Sequence, residues 1–436
     1  MSSRLDDATR AALPPTVVAW LDPDVARDRL VAAGIPARQV RRTYVRLKPD
    51  LDAILQFDLD VDGSAEPIAA YVLVLPVARA AEVATKMNSI ATPSPALGPG
   101  ARLLASGDAV LFLFPNDRQL RGLRFVAEPD KLKRLLGTLP AFAGLRVRAS
   151  HSTFTPVRWK PERRFLLRAS LALKDDASGT KSGADVFVRF FADDRGARIE
   201  RTATMLRAAG LDDVVPEPLG ALDDGRLFVE RTWSGERAQD AVLDGRGDPH
   251  ALADALARVH ATTVDLPRAT AIVTHLATLA EEWEPALRID ADLRGLVTPL
   301  LDRLRADAPR SVLQATVHGD LHLQQILERD GRVGLVDWEC AARGDPLFDL
   351  GWFVAQRDAA PLRDQAAIDR IHHYVDAVVA TYRTRASWFD AARLAFWTKL
   401  CGTSLALLPF RRLEPDWRAT VRARLAALAA LAAPKR

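Results

Sequence analysis

Val317-His318-Gly319-Asp320-Leu321-His322-Leu323-Gln324-Gln325-Ile326-Leu327 runs on through Glu328-Arg329-Asp330-Gly331-Arg332 to Val333-Gly334-Leu335-Val336-Asp337-Trp338-Glu339. Asp330-Gly331 stands between two apolar runs. That is a two-residue hairpin signal, because both central positions of the favoured turn need φ > 0. A hairpin closed there pairs Ile326 with Leu335 and Gln325 with Val336. Gln325 and Asp337 then fall at the same end of the ribbon, with Asp320 in the loop just before it. Downstream, Gly344-Asp345-Pro346-Leu347-Phe348-Asp349-Leu350-Gly351-Trp352 adds two carboxylates. Asp345 before Pro346 reads as a helix N-cap with proline at the first helical position.

A carboxylate, an amide oxygen and a second carboxylate therefore converge. Phosphoryl transfer needs such a set: one carboxylate to take the acceptor hydroxyl's proton, and two oxygen ligands for a Mg²⁺ that neutralises the phosphates. Little covalent chemistry is required, so positioning and electrostatics carry the rate. His-Gly-Asp alone is a weak signal; the ordered set across a hairpin is specific. With a Gln or Asn five residues after the Asp, then Asp-Trp-Glu and Gly-Asp-Pro-x-x-Asp-Leu, it resembles the aminoglycoside phosphotransferase and choline-kinase family, from about Phe154 to Phe353. The resemblance implies an α+β, bilobal, protein-kinase-like fold, with ATP between the lobes, Mg²⁺, and a small-molecule hydroxyl as acceptor. Position by position it implies Asp320 as the catalytic base, Asp337 as the main metal ligand and Glu339 as a helper, directly or through water. Gln325 stands where most members have Asn, and keeps the amide oxygen one methylene further out. Maltokinase-like and glucosamine-kinase-like members are similar in having Gln here, which favours a sugar kinase. His318 and Asp349 are expected to brace the catalytic loop, Asp345 to cap its helix, and His322 to be buried and hydrogen-bonded rather than to touch substrate.

Outward from this stretch, the first half repeats itself. Val45-Arg46-Leu47-Lys48-Pro49-Asp50 aligns with Val157-Arg158-Trp159-Lys160-Pro161-Glu162. Each is followed by two strand-like runs, a helical stretch (Glu82 to Met87, Glu200 to Met205), a Pro-x-Pro turn and a closing strand. The order recurs at a spacing of about 112 to 123 residues, as duplicated units do. The expected domains are a degenerate copy of the nucleotide lobe at 1–148, serving as a cap or scaffold, the nucleotide lobe itself at 149–236, and a helical lobe at 237–436. In the nucleotide lobe Arg189 stands where the family has its phosphate-binding lysine; its fork can hold phosphate bidentately. Glu200 is its expected partner, and Leu227 to Trp233, with Glu230 and Thr232, the hinge that binds adenine. No glycine-rich loop covers the phosphates; Arg158, Lys160, Arg163 and Arg164 surround Pro161 instead. The first copy has Leu51 and Asp52 against Arg163 and Arg164, and Leu73 near the place of Arg189, so it has lost those charges.

Beyond residue 240 amphipathic helices dominate, with Leu252, Leu256 and Val259, and Ile368, Ile371, Val375 and Val379, at helical spacing. The 436 residues suit two or three domains. With 48% hydrophobic and 27% charged residues the chain is globular. No apolar run reaches the roughly 18 residues a membrane span needs, and no signal peptide is visible. Cys340 and Cys401 are the only cysteines, which excludes a disulfide framework and suits the cytoplasm. The pI near 9.2 comes from dispersed arginines, so no nucleic-acid partner is expected.

Two other functions compete. Arg189, Gln325 and the missing glycines would suit a pseudokinase that binds nucleotide without turnover; Asp320, Asp337 and Asp349 oppose it. An antibiotic aminoglycoside as acceptor shares the mechanism. Residues 356–436, however, hold 14 Lys/Arg against 7 Asp/Glu, a field that repels polycations. Glu281-Glu282-Trp283-Glu284, with Asp290 and Asp292, is the local exception; it reads as a solvated helix face or else as a site for one amine. Trp283, Trp352, Trp388 and Trp397 offer faces on which a sugar ring could stack, although most are expected in the core.

Overall fold

The computed structural model describes residues 6–47, 52–310, 312–359 and 364–431; Lys48, Pro49, Asp50 and Leu51 of the repeat lie outside them. The chain forms two compact units. One comprises residues up to 196 with 221–229 and 409–417, the other residues 197–220, 230–408 and 418 onward.

The first unit holds one antiparallel sheet and most of a second. Strands β1 (Ala37–Leu47), β2 (Ala53–Val61), β3 (Ile68–Val74), β4 (Ala101–Leu103) and β5 (Ala109–Leu113) lie in the order β1-β2-β3-β5-β4. The second sheet contains β6 (Leu145–Val147), β7 (Thr153–Lys160), β8 (Arg164–Asp175), β9 (Lys181–Phe191), β10 (Pro218–Leu222) and β11 (Leu227–Arg231). Its order is β10-β11-β9-β8-β6, with β7 also paired to β8. From β7 onward this is the path of the first sheet, with a helix after the third strand in each: Val77–Asn88 and Arg195–Leu206. The registers coincide too. Leu47 faces Ala53 and Arg46 faces Ile54 as Trp159 faces Phe165 and Arg158 faces Leu166. Ile54 then faces Leu73 as Leu166 faces Arg189. The repeat read from the sequence is thus a repeat of topology and register, and Leu73, wholly buried, holds the position of the half-buried Arg189.

The compact division does not fall at residue 148, where one copy follows the other. Both sheets share one core: Tyr71 and Phe114 meet Trp159 edge-on with ring centroids 5.4 and 5.3 Å away, and Phe114 lies 5.4 Å from Phe165. Stretch 149–236 is itself divided, since 197–220 and 230–236 belong to the second unit. The first unit also ties together distant parts of the chain. Trp417, fully buried, donates its indole N–H to Thr9 Oγ1 at 2.8 Å.

The second unit is mainly helical. Helix Pro249–Ala261 starts at Asp248, whose Oδ1 accepts the N–H groups of His250 and Ala251, and buries Leu252, Leu256 and Val259 as their spacing predicts. Each such side chain contributes about 1.5–3 kcal/mol. This helix packs on Gln365–Arg385. There the buried stripe runs through Ala367, Ile371, Tyr374, Val375, Val378 and Tyr382; Ile368 and Val379 flank it half-buried. Helix Pro346–Ala359 packs on Ala391–Ala406. Strands β12 (Glu236–Arg237), β14 (Ile326–Arg329) and β15 (Arg332–Leu335) form one small sheet, and β13 (Ala315–Val317) pairs with β16 (Ala342–Gly344).

Candidate active site

The predicted hairpin forms in the predicted register. Ile326 faces Leu335, Asp330 and Gly331 have φ of 50° and 70°, and Val336 N–H donates to Gln325 O at 2.9 Å. Beyond β15 the chain turns sharply: Asp337 has φ 70° and ψ 54°. A left-handed non-glycine residue costs about 1–2 kcal/mol, so its surroundings must hold it there. They do so on both sides. Val336 O accepts from His318 Nε2 at 2.9 Å, and Trp338 Nε1 donates to Leu335 O at 2.8 Å. Asp337 is buried, and its Oδ2 accepts from Gln325 Nε2 at 3.0 Å. Gln325 is itself fixed by its own N–H to His322 O, in a short turn that His322 caps by accepting Gln324 N–H. His322 is half-buried.

The loop carrying Asp320 hangs from Asp349. Asp349 Oδ2 accepts His318 N–H at 2.7 Å and its Oδ1 accepts Gly319 N–H at 2.8 Å. Gly319 is obligatory: φ is 82°, and a Cβ would sit 2.3 Å from Cys340 O. Asp320 N–H donates to His318 Nδ1 at 3.3 Å. Asp349 is wholly buried. Burial alone would raise its pKa; the hydrogen bond and charge of His260 and the Gly319 N–H outweigh this and hold it below the ordinary carboxylate value. His260 Nε2 lies 3.1 Å from Asp349 Oδ2, its Nδ1 2.7 Å from the Tyr382 hydroxyl, and that hydroxyl accepts from Trp388 Nε1 at 3.1 Å. The sequence reading did not pick out His260. Its signal was there: it sits four residues after Leu256 on the apolar stripe of its helix, where a polar side chain needs a buried partner.

Asp345 caps helix Pro346–Ala359 through Leu347 N–H and accepts Trp397 Nε1 at 2.9 Å. Arg393 Nε, 3.2 Å away, pairs with it by charge without the angle of a hydrogen bond. Burial pushes the Asp345 carboxyl up, against these partners. Trp397 and Trp283 are core residues, 4% and 0% exposed, which removes them as stacking faces; Trp352 and Trp388 are half-buried. Asp290 is buried and paired to Arg418 and Arg422, and Asp292 and Glu284 also lie beside arginines.

Asp320 and Glu339 are half-buried. Arg189 stands half-buried on β9 in the first unit. In the second, Glu200 is half-buried on its helix, Glu230 is buried on β11, and Thr232 follows, its hydroxyl buried without a hydrogen-bond partner. Among the described residues no three His, Cys, Asp or Glu side chains form a metal-holding group. The donors at Gln325 and Asp337 are all oxygen. Such a sparse oxygen set fits Mg²⁺, which keeps waters and needs only one or two protein ligands beside substrate phosphates.

A braced loop aspartate and an aspartate–amide pair, linked through His318, are groups of the kind that phosphoryl transfer uses. The phosphotransferase enzyme family (APH) matches residues 157–397, more than half of the chain, and the chain belongs to that family. It is therefore a phosphotransferase, built of mixed helix and sheet. Among solved structures it is similar to a choline/ethanolamine kinase family protein from Mesorhizobium loti (19% identity, TM-score 0.45, covering 69% of this chain and 94% of that one). It is also similar to a thermostable mutant of aminoglycoside phosphotransferase APH(4)-Ia in ternary complex with AMP-PNP and hygromycin B (16%, 0.49, 71% and 100%). A third is choline kinase LicA from Streptococcus pneumoniae (15%, 0.45, 69% and 98%). No helix among the described residues is long and apolar enough to cross a membrane.

Proposed function

We propose that this chain transfers the γ-phosphate of ATP to a hydroxyl of a neutral or singly charged sugar-like molecule, with Asp320 as the base and Asp337 and Gln325 as ligands of Mg²⁺. The observation that carries the assignment is the Gln325–Asp337 hydrogen bond. That bond sets the amide and the carboxylate side by side at the end of the hairpin, and these are the two groups proposed to meet one cation. Mg²⁺, when bound, neutralises charge on the phosphates. Asp320 accepts the acceptor's proton, and Glu339 supports the metal ligands. Arg189 pairs with phosphate, and Glu230 and Thr232 lie along the adenine-binding hinge. Thr232 supports that reading, since its buried hydroxyl lacks the partner a bound polar ligand would supply.

The acceptor class follows from charge. A polycation entering a site must have its ammonium groups paired as they leave water. Of the acidic cluster that could pair them, Glu284, Asp290 and Asp292 lie beside Arg294, Arg418 and Arg422. In a steady-state comparison, simple hexoses, amino sugars and α-glucan disaccharides are therefore turned over more efficiently than kanamycin-type aminoglycosides. Turnover of the polycations alone sinks the acceptor assignment and leaves the kinase standing. Asp337→Ala abolishes Mg²⁺-dependent ATP binding in calorimetry; unchanged binding would show that other groups hold the metal.

A further inference from the structure

The turn between β7 and β8, Pro161-Glu162-Arg163, stands where a phosphate-covering loop belongs if the second sheet is the nucleotide lobe. It is not glycine-rich, yet Glu162 has φ 60° and is 8% exposed. A charged, buried, left-handed residue persists only where its neighbours over-determine it. Those neighbours come mainly from the segment that follows β5, the last strand of the first copy, with Arg46 of β1 adding a charge 3.5 Å from Glu162 Oε2. Arg118 Nε and Nη2 donate to the two carboxylate oxygens of Glu162 at 2.6 and 3.0 Å, a bidentate fork. Asp117 Oδ2 accepts the Glu162 N–H at 2.9 Å and Trp159 Nε1 at 3.1 Å, while its Oδ1 accepts Gln119 and Leu120 N–H. Tyr71 of β3 accepts Arg118 N–H at 3.1 Å. Burial works against the Arg118 cation, and the hydrogen bond and charge of Glu162 outweigh it. The segment lies flush on the second sheet: a Cβ on Gly122 would meet Leu227 Cδ1 at 2.9 Å and Phe190 Cδ1 at 3.1 Å.

We propose that Asp117 and Arg118 are positioning residues of the ATP site, locking the β7–β8 turn so that Lys160, Arg163 and Arg164 meet the polyphosphate from a fixed backbone. This rests on the reading of the second sheet as nucleotide lobe. A glycine-rich loop is mobile until nucleotide orders it, and that ordering costs binding free energy. Here the first copy orders the turn in advance, which is what a lobe stripped of its own phosphate-binding charges can still contribute.

The test uses the full chain. In Arg118→Met the KM for ATP rises about 10- to 100-fold, more than kcat changes, as displacement of positioning groups does. The acceptor KM is unmoved, and Arg118→Lys, which keeps the charge without the fork, recovers part of the loss. Arg189→Ala run beside it separates the two ideas. If Arg189→Ala weakens ATP binding and a folded Arg118→Met does not, the lock is wrong and the nucleotide lobe stands; if neither does, both fall. Should Arg118→Met fail to fold, hydrogen exchange of the wild type decides. The Glu162 amide is protected without ATP and gains little on adding Mg·ATP. An unprotected amide that ATP orders overturns the proposal.

Discussion

Asp320→Asn lowers turnover about 10²- to 10⁴-fold, the share that general-base catalysis contributes, while ATP affinity and melting temperature stay near wild type. The substitution keeps size and shape but removes the only function assigned to this side chain, taking a proton. The loop geometry does not depend on that carboxylate. It hangs from Asp349 through the N–H groups of His318 and Gly319, and from His318 Nδ1 through the Asp320 N–H, all of which the variant retains. Single-turnover kinetics with saturating ATP isolate the chemical step. Full activity in the variant would remove Asp320 from the mechanism.

Asp349→Ala destabilises the protein by about 3–5 kcal/mol, the scale for breaking a buried, hydrogen-bonded charged group, and silences turnover with it. Three donors lose their acceptor together: the His318 and Gly319 N–H groups and His260 Nε2. Chemical denaturation measures the loss; a cost under about 1 kcal/mol would mean that the loop is held otherwise. The same carboxylate sets an acid limit. Its folded pKa lies below the unfolded value of about 3.9, so its contribution is fully present above that pH and is lost as pH falls toward the folded value. Wild type accordingly loses stability in that window more steeply than Asp349→Ala.

Much of this site could be read from the chain because its signals are local. Asp330-Gly331 sets the hairpin register, and register alone brings Gln325 beside Asp337. Asp345-Pro346 marks a helix start whatever the tertiary context. What could not be read depends on contacts between distant segments. The apolar repeat in helix Gln365–Arg385 does not say which flank of the stripe is buried, because the partner helix decides. Trp283 and Trp397 carry no sign in sequence that they are core rather than surface. The repeat was visible, yet the merging of both sheets into one unit was not, since it follows from Arg118 meeting Glu162 and Phe114 meeting Phe165.

The Thr9–Trp417 hydrogen bond has a consequence for biosynthesis. Its partners are 408 residues apart, and both belong to the first unit. A ribosome therefore exposes Thr9 long before Trp417, its indole donor, has been translated. The two sheets can assemble during elongation, but the unit closes only when residues 409–417 emerge. A stop codon placed shortly before Trp417 yields a nascent chain with every catalytic side chain present and its first core open, a natural client for chaperones.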